Sequence, residues 1–301
     1  MSEPTPLFDR ALWTERKNRC APRAANHDFL LARVADDLAG RLELVRRTFP
    51  VAVNLGAYHG VLGRRLRALP SIGRVVDVER APALLAQCSG PAVLADEEAL
   101  PFATGSLDLV VSALSLQLAN DLPGVLVQIR RALKPDGLFL GALLGGESLR
   151  ELREAWLVAE DEVEGGSGPR VAPFAHVRDL GGLLQRAGFA LPVADADTLT
   201  VTYPSPLALM AEIKAMGASN MLVARRRTPV RRATLFRAAE IYAARFGRDD
   251  GRVPATFEIV TLTAWAPHPD QPKPLRPGSA TTRLADALGT REHGTGEKPG
   301  G

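Results

Sequence analysis

Short apolar runs alternate with amphipathic segments through the first half of the chain. Five apolar runs predict buried strands, at residues 51–55, 74–78, 91–96, 106–115 and 137–144. Apolar positions at helical spacing predict helices, at residues 27–47, 60–69, 81–88 and 121–133. A turn is expected at Lys134–Gly137, where proline and glycine stand close together. Strands that alternate with helices at this spacing predict a parallel sheet covered on both faces.

The second half of the chain has a different pattern. Helices are predicted at 145–162 and 177–187, and two longer alternating segments predict edge strands at 197–203 and 255–265. Helical, arginine-rich sequence between those strands predicts an insertion that caps the sheet. The expected division is an N-terminal helical extension at 1–48, a core domain at 49–266 with its insertion at about 204–252, and a flexible proline- and glycine-rich tail at 267–301.

The composition is that of an ordinary globular protein, with 46% hydrophobic and 24% charged residues. The two cysteines provide neither a disulfide framework nor zinc spacing, which suits a reducing compartment. The longest apolar stretch, at 137–146, is too short to span a membrane. The first residues have no apolar signal segment and carry acidic side chains, unlike a transit peptide. We therefore expect a cytoplasmic protein.

Positive charge concentrates in one run, RRRTPVRR at residues 225–232. No aromatic residues are interleaved there for stacking on bases, and the formal net charge is only +3, so nucleic-acid binding has little support. A solvated face is the favoured interpretation. A docking surface for an acidic protein remains the alternative.

The turn after the first predicted strand carries the first candidate site residues. In a doubly wound sheet, ligands bind beyond the carboxyl ends of the strands. Asn54 lies near the end of the strand, and Gly56, Ala57, Tyr58 and Gly60 form the turn that follows. The two glycines suit a turn that cradles a ligand, but they equally suit a tight connection between strand and helix.

Acidic residues close the second and third predicted strands. Asp77 lies 21 positions after Gly56, about the spacing of a carboxylate that accepts hydrogen bonds from ribose hydroxyls, and Val78 adjoins it. Asp96 and Glu97 are placed to contact an adenine amino group. Any one of these residues is ambiguous, but the set favours a nucleoside.

The fourth strand predicts the floor of the same site, with Ser112 and Leu114 as candidates. The segment at 95–116 reads acid, LPF, turn and strand, and the segment at 129–143 reads helix, KPDG and strand. Both resemble the class I S-adenosylmethionine-dependent methyltransferases. The resemblance implies an α/β, Rossmann-like three-layer sandwich with a seven-stranded, mostly parallel sheet, N-terminal helices and a helical insertion before the last strand. It also implies S-adenosylmethionine as cofactor.

Further segments are similar to one subfamily, the mitochondrial complex I assembly factor 5 group and its bacterial relatives, near the malonyl-carrier-protein methyltransferase of biotin synthesis. They include LFDRALWTERKNR, GGESLRELR, MGASN and VPATFEIVTLTAW. The resemblance implies two chemistries, hydroxylation of an arginine on an iron–sulfur subunit of complex I and methylation of a carboxylate. The implied partner is a protein, plausibly a complex I subunit, with peripheral association to a membrane complex.

The residues themselves assign no catalytic group. The five histidines are scattered, without the spacing of a two-histidine, one-carboxylate iron site, so no metal ligand is predicted. Methyl transfer needs no metal, since it depends largely on holding the methyl group in line with a nucleophile. Methylation, hydroxylation and loss of catalysis all remain open.

Three positions depart from the subfamily pattern. Relatives usually carry aspartate at Asn54, glycine at Tyr58 and a His-Trp pair at Gln117–Leu118. A charge-assisted hydrogen bond contributes about 1.5–3 kcal/mol and a neutral one about 1 kcal/mol, so Asn54 alone weakens cofactor binding. We predict that S-adenosylmethionine binds weakly or not at all. A non-catalytic assembly or binding protein is therefore the alternative to an enzyme.

Overall fold

A computed structural model describes residues 5–271, 279 and 282–291. The chain divides into two units, Met1–Pro267 and His268–Gly301. The strands are β1 Phe49–Leu55, β2 Ile72–Glu79, β3 Ala92–Leu94, β4 Leu107–Ala113, β5 Leu133–Leu144, β6 Ala190–Tyr203 and β7 Val253–Trp265. The helices are α1 Arg10–Cys20, α2 Phe29–Glu43, α3 Val61–Ala68, α4 Pro82–Leu85, α5 Leu122–Ala132, α6 Arg150–Glu164, α7 Val177–Arg186, α8 Pro206–Ala215, α9 Arg232–Phe246 and α10 Leu284–Leu288.

The strands form one sheet in the order β3-β2-β1-β4-β5-β7-β6. The first five strands are parallel, and β7 runs antiparallel to both β5 and β6. The strand order reverses beside β1, so the carboxyl ends of β1 and β4 open the crevice where doubly wound sheets bind ligands. This sheet confirms the predicted class I methyltransferase fold.

Helices cover both faces of the sheet and make it the middle of three layers. On one face, Leu38 of α2 and Leu62 of α3 pack against the strands. On the other face, Ile129 of α5 and Leu184 of α7 do the same, around the fully buried Phe139. Because both faces are buried, the central strands are almost continuously apolar.

Helix α1 buries a face that is mostly charged. Its buried side chains are Arg10, Trp13 and Lys17, which share one side of the helix at spacings of three and four residues. The helix begins after Asp9, whose carboxylate accepts a hydrogen bond of 3.0 Å from the backbone N–H of Leu12. A helix with such a face needs buried carboxylates as partners.

The structure differs from the predicted turn at Lys134–Gly137. The backbone there lies within β5, and Asp136 has a φ of 65°. Leu107 of β4 pairs with Leu133 and Leu109 pairs with Leu138, so β5 carries extra residues at this point. The expected turn is therefore an irregularity inside a strand, because proline and Asp136 interrupt pairing without ending it.

Helices α8 and α9 connect β6 to β7. The inner side of α9 packs against α6 through Tyr242 and Trp156, in a cluster that also contains Phe257 of β7. Within the part of the chain that the structure describes, no helix combines the length and the apolar character that crossing a membrane requires. The predicted tail falls mostly outside the described residues.

Candidate functional site

A cavity of about 570 Å³ opens at the carboxyl ends of β4 and β5. Its walls are largely apolar and come from both the sheet and the capping helices. The aromatic residues that line it are Trp13, Tyr58, Trp156, Phe174 and Phe257. A volume of this size accommodates a side chain or a small molecule.

The glycines of the first turn meet protein atoms closely. Gly56 has a φ of 72°, and a Cβ atom there would lie 2.1 Å from Ser115 Oγ. The backbone N–H groups of Gly56 and Ala57 both donate to the Val78 carbonyl, at 2.9 and 2.8 Å. Gly60 also has a positive φ, of 82°. Gly56 is therefore required by the packing of the chain itself, whether or not a ligand binds.

Tyr58 occupies the turn in a left-handed conformation, with a φ of 53°. Its backbone N–H donates to Glu79 Oε2 at 2.9 Å, which helps to hold this conformation in a non-glycine residue. Its hydroxyl donates to the Met216 carbonyl at 3.1 Å, just after α8. Burial is the main cause that raises the pKa of this phenol. Tyr58 therefore links the first turn to the inserted helices.

Glu79, at the carboxyl end of β2, is held by Lys17 from α1. Lys17 Nζ lies 2.6 Å from both carboxylate oxygens, and both side chains are buried. The N–H of Ala81 donates to the same carboxylate at 2.9 Å. The ammonium also lies 4.5 Å from the centre of the Trp13 ring. The carboxylate of Glu79 is thus fully committed within the chain.

Arg10, two turns before Lys17 on the same face of α1, holds the acids after β3. It forms ion pairs with Asp96 and with Glu97, the latter at 2.7 Å. Ser115 Oγ donates to the other oxygen of Glu97 at 2.8 Å. Arg80 lies 3.3 Å from Asp96 on its second oxygen. The two predicted adenine contacts are therefore paired with arginines.

Asn54 and Asp77 lie together beneath α3. The Asn54 amide donates to Asp77 Oδ1 at 2.7 Å, and Arg67 forms an ion pair with the other oxygen. Asp77 is completely buried, and a Cβ atom on Gly63 would lie 2.2 Å from it. Since β2 continues to Glu79, Asp77 is not the residue that closes this strand.

The floor of the site comes from the end of β4 and the residues after it. Leu114 and Gln117 both line the cavity. Leu114 has a φ of 52°, and the amide nitrogen of Gln117 donates to the Leu114 carbonyl at 2.8 Å. Ser112 is fully buried, and its hydroxyl has no hydrogen-bond partner among the described residues.

Three of the predicted residues, Gly56, Tyr58 and Leu114, line the cavity. The other predicted residues are packed into the chain around it, at Asn54, Ala57, Gly60, Asp77, Val78, Asp96, Glu97 and Ser112. Their role as ligand contacts stays a prediction. The sequence missed Glu79 and the α1 cations, although Glu79 stands only two positions beyond the chosen acid.

Five lining residues of the cavity can carry a charge, namely Lys17, His27, Asp28, Arg170 and Lys214. Asp28 lines it, and its Oδ2 lies 3.0 Å from His59 Nε2, without hydrogen-bond alignment. Burial is the main cause that lowers the pKa of His59, although Asp28 opposes it. His27, also on the wall, lies 2.9 Å from Glu212 through Nδ1. Within the described part of the chain, no group of three or more His, Cys, Asp or Glu side chains has the arrangement of a metal site.

As arranged, the residues of this site do not fit the nucleoside of S-adenosylmethionine. A ribose needs a free carboxylate at the end of β2. The Glu79 carboxylate already accepts hydrogen bonds from Lys17 and from two backbone N–H groups. A Cβ atom on Gly56 would lie 2.1 Å from Ser115 Oγ, so that side of the glycine turn is filled by the chain itself.

The arginine-rich run at 225–232 is partly neutralised. Arg225 pairs with Asp9 at 3.1 Å, and Arg226 lies 3.0 Å from Glu164. Val230, inside the run, lines the cavity. The run therefore forms part of the cavity rim, and its two interpretations stay open.

Comparison with known proteins supports the architecture. The profile of the family described as "Methyltransferase domain" matches residues 53–141. A proposed methyltransferase from Bacillus halodurans has a similar structure, with a TM-score of 0.55 and 15% identity, over 77% of this chain and 100% of the other. This structural likeness concerns the fold.

Two kinds of relative are similar in sequence along most of the chain. The mitochondrial arginine-hydroxylase NDUFAF5 of Danio rerio is 39% identical over 93% of this chain and 89% of its own length. The malonyl-[acyl-carrier protein] O-methyltransferase of Halorhodospira halophila is 38% identical over 78% of this chain and 81% of its own.

Proposed function

This chain belongs to the methyltransferase-fold family that contains the arginine-hydroxylase NDUFAF5 and malonyl-[acyl-carrier protein] O-methyltransferases, and from that premise we propose that it acts on an arginine side chain of a partner protein. Hydroxylation is the proposed modification, by analogy with the named activity of the first relative. It would convert one C–H bond of the arginine side chain to C–OH, with dioxygen as the oxidant and a two-electron reductant as co-substrate, and the second oxygen atom would leave as water. The proposed partner is an iron–sulfur subunit of respiratory complex I, reached from the cytoplasm by peripheral association with the membrane complex.

The chemistry of the cavity wall carries this proposal. A guanidinium is planar, stacks on aromatic rings and pairs with a carboxylate through two N–H groups. Trp13, Trp156 and Phe174 supply aromatic wall, and Asp28 is the only carboxylate residue among the described lining residues. In the proposal, Asp28 orients the guanidinium while the apolar wall holds the aliphatic part and excludes water.

A second candidate, a non-catalytic assembly or binding protein, is favoured by one observation. Lys17 pairs with Glu79 and Arg10 pairs with Glu97, the acids at the ends of β2 and β3, where a nucleoside is expected in a doubly wound sheet. A chain in this arrangement can bind a partner in the cavity without using S-adenosylmethionine. Carboxyl methylation, the activity named for the other relatives, is less well supported because it requires that cofactor.

A deletion strain tests the proposal directly. Mass spectrometry of the complex I iron–sulfur subunits should find an arginine that carries one additional oxygen atom in the parent strain and lacks it after deletion. The wild-type gene should restore the modification. Asp28→Asn should restore it poorly, because an amide cannot neutralise a guanidinium. Lys134→Met, which breaks a surface pair with Asp108 far from the cavity, is the matched control.

Two results separate the candidates. If complex I assembles poorly after deletion but no arginine changes mass, the non-catalytic candidate replaces the hydroxylase. If neither assembly nor any modification changes, the proposed partner is wrong. Equal rescue by Asp28→Asn and the wild type removes Asp28 from its proposed role.

A further inference from the structure

Two buried cations of α1 reach the acids at the ends of two adjacent strands. Lys17 binds Glu79 after β2, and Arg10 binds Glu97 after β3. Lys17 and Arg10 are seven positions apart, which puts them on the same side of the helix. One face of α1 therefore reaches both acids.

Both contacts are built into the interior. Lys17 and Glu79 are 3% and 0% exposed, and Arg10 and Glu97 are 8% and 1% exposed. Arg10 also donates from its second nitrogen to the Leu118 carbonyl at 3.1 Å. Trp13, between the two cations, is stacked by both of them and by Arg80. These are not surface pairs that solvent screens and loosens.

The acids are in the positions where a doubly wound sheet receives a ribose and a base. A ribose diol donates hydrogen bonds to a carboxylate after β2, and an exocyclic amine donates to a carboxylate after β3. Lysine and arginine are donors of the same kind and occupy the same acceptors. The interior of this chain thus supplies the donors that a nucleoside would bring.

We propose that α1 is an internal occupant of the nucleoside site, and that this chain binds an S-adenosyl compound only when Lys17 and Arg10 withdraw from Glu79 and Glu97. The apparent affinity is then the intrinsic affinity multiplied by the fraction of molecules whose α1 has withdrawn. Weak binding by the native chain follows from α1, and Tyr58 and Asn54 are secondary causes. This inference does not depend on the arginine chemistry of the cavity.

The first test is calorimetric titration of the full-length protein with S-adenosylhomocysteine. We expect Lys17→Met to bind at least about tenfold more tightly than the wild type, because the lysine no longer competes with the ligand for the Glu79 carboxylate. Methionine is one atom shorter than lysine but keeps an unbranched apolar side chain that can pack on Trp13. Lys134→Met, which removes a lysine from a carboxylate on another part of the sheet, should bind like the wild type.

Lys17→Met leaves Glu79 buried and unpaired, so the variant can lose its fold. The double variant Lys17→Met/Glu79→Gln avoids this, since a neutral pair replaces a buried ion pair and the glutamine oxygen still accepts a ribose hydroxyl. It should also bind more tightly than the wild type. Circular dichroism shows which of the two variants is folded. The affinity of each folded variant is then compared with that of the wild type.

Hydrogen exchange gives an independent reading on the wild-type protein. With S-adenosylhomocysteine at millimolar concentration, backbone amides at residues 10–20 should exchange faster, because α1 leaves the sheet. Slower exchange there, or low-micromolar binding by the wild type, would mean that the ligand fits beneath α1 and would overturn the proposal. So would a folded variant without Lys17 that binds no better. None of these readings involves arginine modification, so they fail or succeed apart from the proposed function.

Discussion

The crevice at the carboxyl ends of the strands has two halves with opposite character. We call the first the nucleoside half; it comprises the ends of β1, β2 and β3, the turn at 56–60 and α1. The second is the cavity half, at the ends of β4 and β5 beneath α6 and α8. The nucleoside half is packed with buried ion pairs, among them Lys17–Glu79. The cavity half contains about 570 Å³ of open space with apolar walls.

One half is packed and the other is open because empty space would leave buried carboxylates unpaired in the nucleoside half, whereas it leaves mainly apolar walls in the cavity half. A buried carboxylate is costly unless a cation and hydrogen bonds satisfy it, so acids at strand ends cannot remain bare. An apolar cavity carries no such requirement and can stay open. A chain that keeps the acids of a nucleotide-binding fold must therefore fill their site from outside or from within, and this one fills it from within.

The largest expected effect comes from a substitution that breaks a buried ion pair in the nucleoside half. Glu79→Ala leaves Lys17 buried without a counter-charge and removes the acceptor for the Tyr58 N–H. We expect a loss of about 3–5 kcal/mol in the free energy of unfolding, measured in urea. Glu15→Ala, which removes an exposed partner of Arg19 on the same helix, should leave the transition unchanged. Similar transitions for both variants would show that the buried pair contributes no more than a surface one.

A second substitution tests how tightly the turn is filled. Gly56→Ala places a Cβ atom 2.1 Å from Ser115 Oγ and requires alanine at a φ of 72°. We expect a loss of about 3 kcal/mol, from overpacking and the left-handed conformation together. Gly105→Ala isolates the second cause, because its φ is 64° but no atom lies within 4 Å; it should cost about 1 kcal/mol. Equal losses would mean that Ser115 moves aside freely.

The smallest effect concerns pH at the boundary between the halves. Burial lowers the pKa of His59, with Arg64 assisting and Asp28 opposing. A histidine that is more easily protonated when unfolded stabilises the protein above its ordinary pKa of 6.5, and that contribution is lost as the pH falls below it. His59→Gln should therefore reduce the decline in stability between about pH 7 and pH 5. The comparison is made by urea unfolding at each pH, and parallel curves for the two proteins would contradict it.

Most of the fold was accessible from the sequence because its buried strands and amphipathic helices carry apolar periods. Helix α1 is an exception, because no apolar stripe marks where it begins and ends. Its buried positions hold Arg10, Trp13 and Lys17, so a search for hydrophobic spacing finds nothing there. The sequence does offer another signal, which is positive charge at that same spacing, at Arg10 and Lys17, with Asp9 before it as a helix start.

The site was predicted less completely than the fold for a related reason. Spacing from the glycine turn selected Asp77, but a spacing rule cannot distinguish two acids separated by one valine. The structure places Asp77 under α3 with Arg67 and places Glu79 at the end of the strand. Which acid meets the turn depends on contacts from Arg67 and Lys17, which are distant from one another in sequence.

The insertion leaves and rejoins the sheet at a single place. Tyr203, the last residue of β6, pairs with Val253, the first residue of β7, so residues 204–252 form the loop of one long hairpin. That loop supplies Met210, Lys214 and Asn220 to the cavity wall. An exchange of this one segment between relatives would alter what the cavity accepts while the sheet keeps its register. The lining of the cavity is therefore a modular trait, which can change independently of the strand ends.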